Sequence, residues 1–307
     1  MKKRIIIAVF TLAAFLLGCS QLRHIKQEKD IAMINSLLEQ YGLSESIDAA
    51  DVLLVGQRKG FRHIQTAVDR AKDGDVIVVL PGIYEEAVEV SEKTISIIGQ
   101  DRNECILTYP NGDYFEPPIE MGSGLLANMT IYAQQQERAK DAIAPAYAIH
   151  IDFNISKNST FDVIDVNFIN DSYQTVGIGL RQNFTLHFQN CLFECKTDNN
   201  AFYCHDDPID EESKNQQLII ENCYFINNGT QKSTILMQSQ ESPNSEILCQ
   251  WKDNIVENTL GGQLIAVQYW DTPISPDSGW YGMSFWTLSD KSTGNNLNVL
   301  NHTGVQN

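Results

Sequence analysis

The chain has 307 residues, 43% of them hydrophobic, and carries 39 acidic against 22 basic side chains, a formal net charge of −17. Apolar content on this scale excludes a disordered acidic tail and supports a folded core. So acidic a chain does not grip phosphate backbones, which excludes nucleic acid as a partner; a strongly anionic polysaccharide is disfavoured unless a cation bridges it or its acids are esterified.

The first elements read as an export signal. Lys2, Lys3 and Arg4 precede an apolar run from Ile5 to Leu17, too short to span a bilayer and of the length of a signal-peptide core. The run closes on Leu16-Leu17-Gly18-Cys19-Ser20, which resembles the lipobox of bacterial lipoproteins. The resemblance implies cleavage before Cys19 and lipidation of its thiol, so that residues 1–18 are removed and the membrane is met through the lipid anchor only. Two acyl chains on one residue suffice for stable anchoring. The expected place is the cell envelope, facing the extracellular or periplasmic side. Residues 19–48 follow as a tether and short helix. Ile31, Ile34, Leu37, Leu38 and Tyr41 fall at helical spacing, Gly42 ends the run, and the helix is expected to cap the first coil of the following domain.

From residue 51 the pattern changes. An amphipathic helix with Ile64, Ala67, Val68 and Ala71 on one face is followed by Asp73-Gly74-Asp75, a turn into the strand Val76–Leu80. Pro81-Gly82-Ile83-Tyr84-Glu85-Glu86 makes the next turn, and Ala87–Val90 and Lys93–Gly99 supply further strands. Helix, "DGD", strand, "PGIYEE", strand and "ISIIG" in this order resemble the N-terminal segment of pectin methylesterases and their pectin-lyase-like relatives. The resemblance covers about 50 residues and implies an all-β fold, a single-stranded right-handed parallel β-helix.

Downstream the chain repeats itself. Asp165-Val-Asn-Phe168, Asn190-Cys-Leu-Phe193 and Asn222-Cys-Tyr-Phe225 are versions of one unit, Asp253-Asn-Ile-Val256 is a weaker fourth, and Asn128-Met-Thr-Ile131 an earlier one. Anchors at 168, 193, 225 and 256 lie 25, 32 and 31 residues apart, a period that means stacked coils. Stacking predicts Phe193 over Phe225 and Cys191 over Cys223, the cysteines read as small buried apolar residues in preference to a disulfide. The β-helix is placed over 49–290, with a tail over 291–307. Two long intervals, 109–124 and 196–216, are expected as outer loops that build a cleft.

Pectin methylesterases use one aspartate as nucleophile, a second as acid/base, glutamines for the anionic intermediate and an arginine to orient the nucleophile; ester hydrolysis needs these roles filled. The family's Gln-Ala-Val-Ala-Leu-Arg resembles Val176-Gly-Ile-Gly-Leu180-Arg181, with valine in the glutamine place. Its Gln-Asp-Thr followed by Leu-Tyr-Val-His resembles Thr197-Asp198-Asn199 and then Phe202-Tyr203-Cys204-His205. In one register Asp198 keeps the acid/base position; in the other Asn199 and Asn200 fill the glutamine and aspartate places. The nucleophile motif falls by spacing on Thr230, before Gln231, and no carboxylate occurs between 222 and 240. The arginine motif has only Leu260-Gly-Gly-Gln263 in its place, while Ile274-Ser-Pro-Asp-Ser-Gly-Trp280 resembles a later family pattern.

Arg181, Thr197, Asn199, Asn200, His205, Thr230 and Gln231 are therefore the candidate groove residues, with Asp198 the candidate catalytic one. Asp206, Asp207 and Asp210 could hold calcium through oxygen ligands, although a solvated acidic loop is the preferred reading and no cofactor is otherwise expected. The tryptophans at 251, 270, 280 and 286 could stack on sugars or close the end of the helix. Two functions stay open: a non-catalytic surface protein that binds a polysaccharide, pectin-like or other, or another extracellular partner, and an active esterase or lyase. The missing nucleophile favours the first.

Overall fold

The computed structural model describes residues 28–56, 60–109, 116–134, 147–152, 159–181, 183–206, 215–229, 231–239, 247–269, 272–273 and 280–281. The chain divides into two units, Met1–Val52 and Leu53–Asn307. In the first, a helix spans 28–40. It ends as Gly42 predicts: φ of +71° there lets Leu43 N–H reach back to Leu38 O at 2.7 Å, a Schellman closure. Ile34, Leu37 and Leu38 are buried, while Ile31, on the predicted face, is exposed. The signal segment and Cys19 lie outside the described residues.

The second unit is a right-handed parallel β-helix. Its three sheets hold nine, seven and eight described strands. A single coil shows the plan: Thr185–Gln189 in the first sheet, Leu192–Cys195 in the second, Phe202–Asp206 in the third. Each strand pairs in parallel with its equivalents one coil before and after, and the one antiparallel pair described joins Ile265–Tyr269 to Thr272–Pro273. Strands alternate in burial because every second side chain points into the core.

The repeat anchors stack as their spacing predicts. Ile131, Phe168, Phe193, Phe225 and Val256 occupy one ladder row. Phe193 and Phe225 lie 4.8 Å apart at 7°, Phe168 and Phe193 5.4 Å apart at 14°, and Trp251 continues the stack beyond Phe225 at 5.4 Å. Phe188 and Phe202 meet the stack edge-on, an arrangement the ring quadrupole favours. Trp251 is thus a core residue. Trp270 and Trp286 lie outside the described residues.

The bends carry the polar logic of the repeat. Asn128, Asp165, Asn190, Asn222 and Asp253 all sit at positive φ, between 52° and 60°, where Asn and Asp are tolerated and most residues are strained. The next residue of each unit faces inward, and its backbone N–H needs an acceptor from the following coil. Cys191 N–H donates to Cys223 Sγ at 3.4 Å, and Cys223 N–H to Asn254 Oδ1 at 2.7 Å. Cys191 and Cys223 are free thiols, as are Cys105, Cys195, Cys204 and Cys249. Burial pushes the Cys223 thiol's pKa up, and the adjacent Cys191 adds to it.

The "PGIYEE" turn has two physical tasks. Tyr84 is buried and its hydroxyl donates to Leu80 O at 2.7 Å. Glu86 accepts from the N–H groups of Ile64 and Gln65, at 2.8 and 3.0 Å, so it caps the helix Ile64–Arg70 from a distant part of the chain. Gln65 in turn bonds both the N–H and the carbonyl of Glu89, on the first strand of the third sheet.

The two long intervals are only partly loops. The interval 196–216 contains the strand Phe202–Asp206, and 109–124 contains Ile119–Glu120.

Candidate functional site

The turns from second to third sheet hold most of the residues singled out by the sequence, and there they serve the turn. Asp198 accepts from Gln231 N–H at 2.9 Å. It also presses on Gly229, where an added Cβ would come within 2.2 Å of Asp198 Oδ1. The carboxylate braces one coil against the next, while the Gln231 residue itself is exposed. Thr197 donates to Tyr173 O at 3.1 Å and accepts from Asn199 Nδ2. Asn200 is fully buried, donates to Ser233 O and accepts from Gln174 Nε2 at 3.1 Å. Val176, in the place of the family's first glutamine, is a core side chain.

The spacing that put a nucleophile motif at Thr230 does not match the strand. These turns differ in length from coil to coil: the third-sheet strands begin at Val176, Phe202 and Ile235, after second-sheet strands that end at Asn170, Cys195 and Asn227. Thr230 falls within the last of these turns and is itself outside the described residues. The strand that follows, Ile235-Leu-Met-Gln-Ser239, has no carboxylate.

The outer face of the third sheet gathers a different set. Ladder pairing lines up Glu89, Glu120, His150, Gly177, Tyr203 and Leu236 in one outward row, and Gly179, His205 and Gln238 in the next. Gly177 leaves a gap that Tyr147 fills: an added Cβ would stand 2.7 Å from its ring. The Tyr147 ring stacks on His150, with centroids 5.3 Å apart and planes at 8°, and Tyr173 leans on it at 5.5 Å. Tyr203, next in the row, donates to Gln238 Oε1 at 2.7 Å and lies 5.5 Å from the His205 ring. Five rings thus share one shelf across the outside of three coils.

The charges of the shelf are paired. His150 Nδ1 lies 3.5 Å from Glu120 Oε1. Arg181 Nη2 donates to Asp152 Oδ1 at 3.0 Å, with both side chains mostly buried. Burial holds the Tyr147 hydroxyl's pKa well above the usual range, with Tyr173, Tyr203 and Asp152 adding to it, so Tyr147 stays a neutral donor. Over the strands Val176–Leu180, Phe202–Asp206 and Ile235–Ser239, the outward ladder positions carry glycine, Tyr203, His205, Leu236 and Gln238, and no carboxylate. Asp206 ends its strand; Asp207 and Asp210 lie outside the described residues, and among the described residues no cluster of three or more His, Cys, Asp or Glu could hold a metal.

No protein-family model matches this chain, and no curated protein matches it. Among solved structures it is similar to a pectin methylesterase mutant in complex with a hexasaccharide, at 14% identity over 78% of this chain and 92% of that one, with a TM-score of 0.45. The pectin methylesterase PemA from Erwinia chrysanthemi gives 13% identity, the same coverages and a TM-score of 0.44. A pectin methylesterase from carrot gives 14% identity over 79% and 86%, with a TM-score of 0.40. At this identity and overlap the likeness assigns no activity to the chain.

Of the residues expected in a groove, the structure brings His205 and Arg181 to the shelf and leaves Thr197, Asn199 and Asn200 in the turns beside it. Glu120, Tyr147, His150, Tyr173, Tyr203 and Gln238 had not been singled out. His150 between Ile149 and Ile151, and Tyr203 between Phe202 and Cys204, are outward positions of alternating strands, which is a readable signal once the strands are known. Tyr147 comes from outside the strand, and nothing in the pattern announces it.

Proposed function

We propose that the mature chain is a non-catalytic, glycan-binding β-helix, held in the cell envelope through lipid on Cys19, with the ring shelf of the third sheet as its binding surface. The shelf carries the reading: aromatic side chains with polar tips present an apolar face to a pyranose ring and a hydrogen-bonding edge to its hydroxyls. Tyr203 and His205 are the rings for stacking, Tyr147 and His150 set the floor, and Gln238 and Glu120 offer polar groups at the rim. Over the strands Val176–Leu180, Phe202–Asp206 and Ile235–Ser239 the outward ladder positions of that face carry no carboxylate to serve as nucleophile, and Asp198 is engaged by a backbone amide. Cys19 supports the location through its lipobox context alone.

The test is a binding panel of plant and bacterial polysaccharides against the mature chain carrying Cys19→Ser, by affinity electrophoresis and calorimetry. At least one polymer is expected to bind, and Tyr203→Ala to weaken it about tenfold, the equivalent of about 1.4 kcal/mol. Methanol release from methyl-esterified polygalacturonate is expected to stay at background in the parent and in Asp198→Asn alike. Release by the parent that Asp198→Asn abolishes would make the chain an esterase and sink the reading. Fatty-acid labelling of the full-length chain, lost in Cys19→Ser, tests the anchor.

A further inference from the structure

We infer that the ring shelf takes an uncharged glycan and turns away a polymer of free uronic acids. The inference rests on the glycan-binding reading and names its ligand class. A site for a polyanion needs cationic side chains to meet the ligand's carboxylates, and the one guanidinium on this shelf is already engaged. The Arg181 guanidinium is bound to Asp152 at 3.0 Å, with side-chain exposures of only 17% and 12%. Its charge is met by that carboxylate and little of the side chain reaches solvent, so it offers a ligand carboxylate little. His150 stands 3.5 Å from Glu120 and lies under the Tyr147 ring. Lys196, in the turn before the third sheet, reaches the other way, its ammonium 5.4 Å from the Tyr132 ring that belongs to the second sheet.

The anionic groups are placed differently. Glu120 is the ladder neighbour of His150 on one side and of Glu89 on the other, and Glu89 is exposed. Two carboxylates in consecutive coils therefore continue the row of rings. A chain of free uronates lying along that row would set its own carboxylates against the exposed Glu89, and like charges at contact distance reject a partner. Sugar hydroxyls meet the same groups as acceptors, and an ester or a neutral hexose meets no opposing charge. The remaining groups of the shelf, Tyr147, Tyr173, Tyr203, His205 and Gln238, offer ring faces and hydrogen-bonding edges to a sugar.

The deciding experiment holds the backbone constant and changes its charge. Highly methyl-esterified and fully de-esterified polygalacturonate, with a neutral galactan as third arm, are titrated into the Cys19→Ser mature chain at low and at high salt. The esterified or the neutral polymer is expected to bind, and the free acid to bind about tenfold more weakly or worse at low salt. That gap should narrow at high salt, where charges are screened, and in the Glu89→Gln/Glu120→Gln double variant. Equal or tighter binding of the free acid would overturn the inference and leave glycan binding standing. Binding of none of the three, with none from the wider panel either, would bring down both.

Discussion

At the scale of single residues, the shelf is made by an absence. At Gly177 a side chain would collide with Tyr147, so the sheet gives up a Cβ to seat a ring. Gly177→Ala is expected to push that ring off His150, lower stability by about 1–3 kcal/mol as overpacking does, and weaken glycan binding. In the Tyr147→Ala background the same alanine has nothing to strike, so the two changes should couple strongly; additive losses in urea melts would show that the ring and the glycine do not depend on each other. A second residue-scale expectation concerns Cys223. Its sulfur is the acceptor for a buried N–H of the preceding coil, in the position where the next coil uses Asn254 Oδ1. Cys223→Ala leaves the Cys191 N–H without that acceptor and is expected to cost about 1–3 kcal/mol. Cys223→Asn, which repeats the chain's own solution one coil later, should recover part of the loss by the same melt.

At the scale of elements, the helix Ile64–Arg70 shows how a local motif is held by a distant one. His63 stands at its N-cap without a side-chain cap bond, and the two first N–H groups go instead to Glu86, more than twenty residues on. Glu86→Ala should therefore cost about 1–2 kcal/mol, in the range of a lost N-cap, and Glu86→Gln less, since one amide oxygen replaces two carboxylate oxygens. Hydrogen exchange at Ile64 and Gln65 reads the effect directly. This element was legible in the sequence down to its buried face of Ile64, Ala67 and Val68, because a short amphipathic pattern and a turn on each side identify it. The stacked row from Phe168 to Val256 was legible for a similar reason: interior positions repeat, and a solenoid translates spacing into contact. The turns between the second and third sheets were not. They differ in length from coil to coil, so a fixed count from Cys223 ends at Thr230 while the strand begins at Ile235. The spacing placed Asp198 in its turn, but its contact with the Gln231 amide of the next coil has no signal in the sequence. The shelf itself needed the ladder register across four coils, together with Tyr147, which no periodicity places.

At the scale of the whole molecule, the solenoid keeps several tyrosines protonated beyond their ordinary range, and this sets an alkaline limit. Burial raises Tyr84 from 10.0 to about 12, with Cys105 and Glu86 adding to it. Tyr132 also rises to about 12, mainly through burial and then through its bond to Asp171, and Tyr224 to about 12, mainly through its bond to Glu257 and then through burial. In each case the folded chain keeps its proton to a higher pH than the unfolded chain does. Below about pH 10 both states are protonated and the contribution to stability is complete. Between about pH 10 and 12 the unfolded state loses protons first, so it binds fewer than the folded state and stability falls as pH rises. For Tyr84, which is only 4% exposed, the loss across that window is about 2–3 kcal/mol. Urea midpoints measured from pH 8 upward should therefore be flat at first and then decline steeply above about pH 10. Tyr84→Phe separates the two parts of this tyrosine's role. It gives up the bond to Leu80 O, so the midpoint at neutral pH drops, and it has no proton to lose, so the alkaline decline becomes shallower. A decline as steep in Tyr84→Phe as in the parent would mean that the alkaline limit of the stacked coils is set elsewhere than at the "PGIYEE" turn.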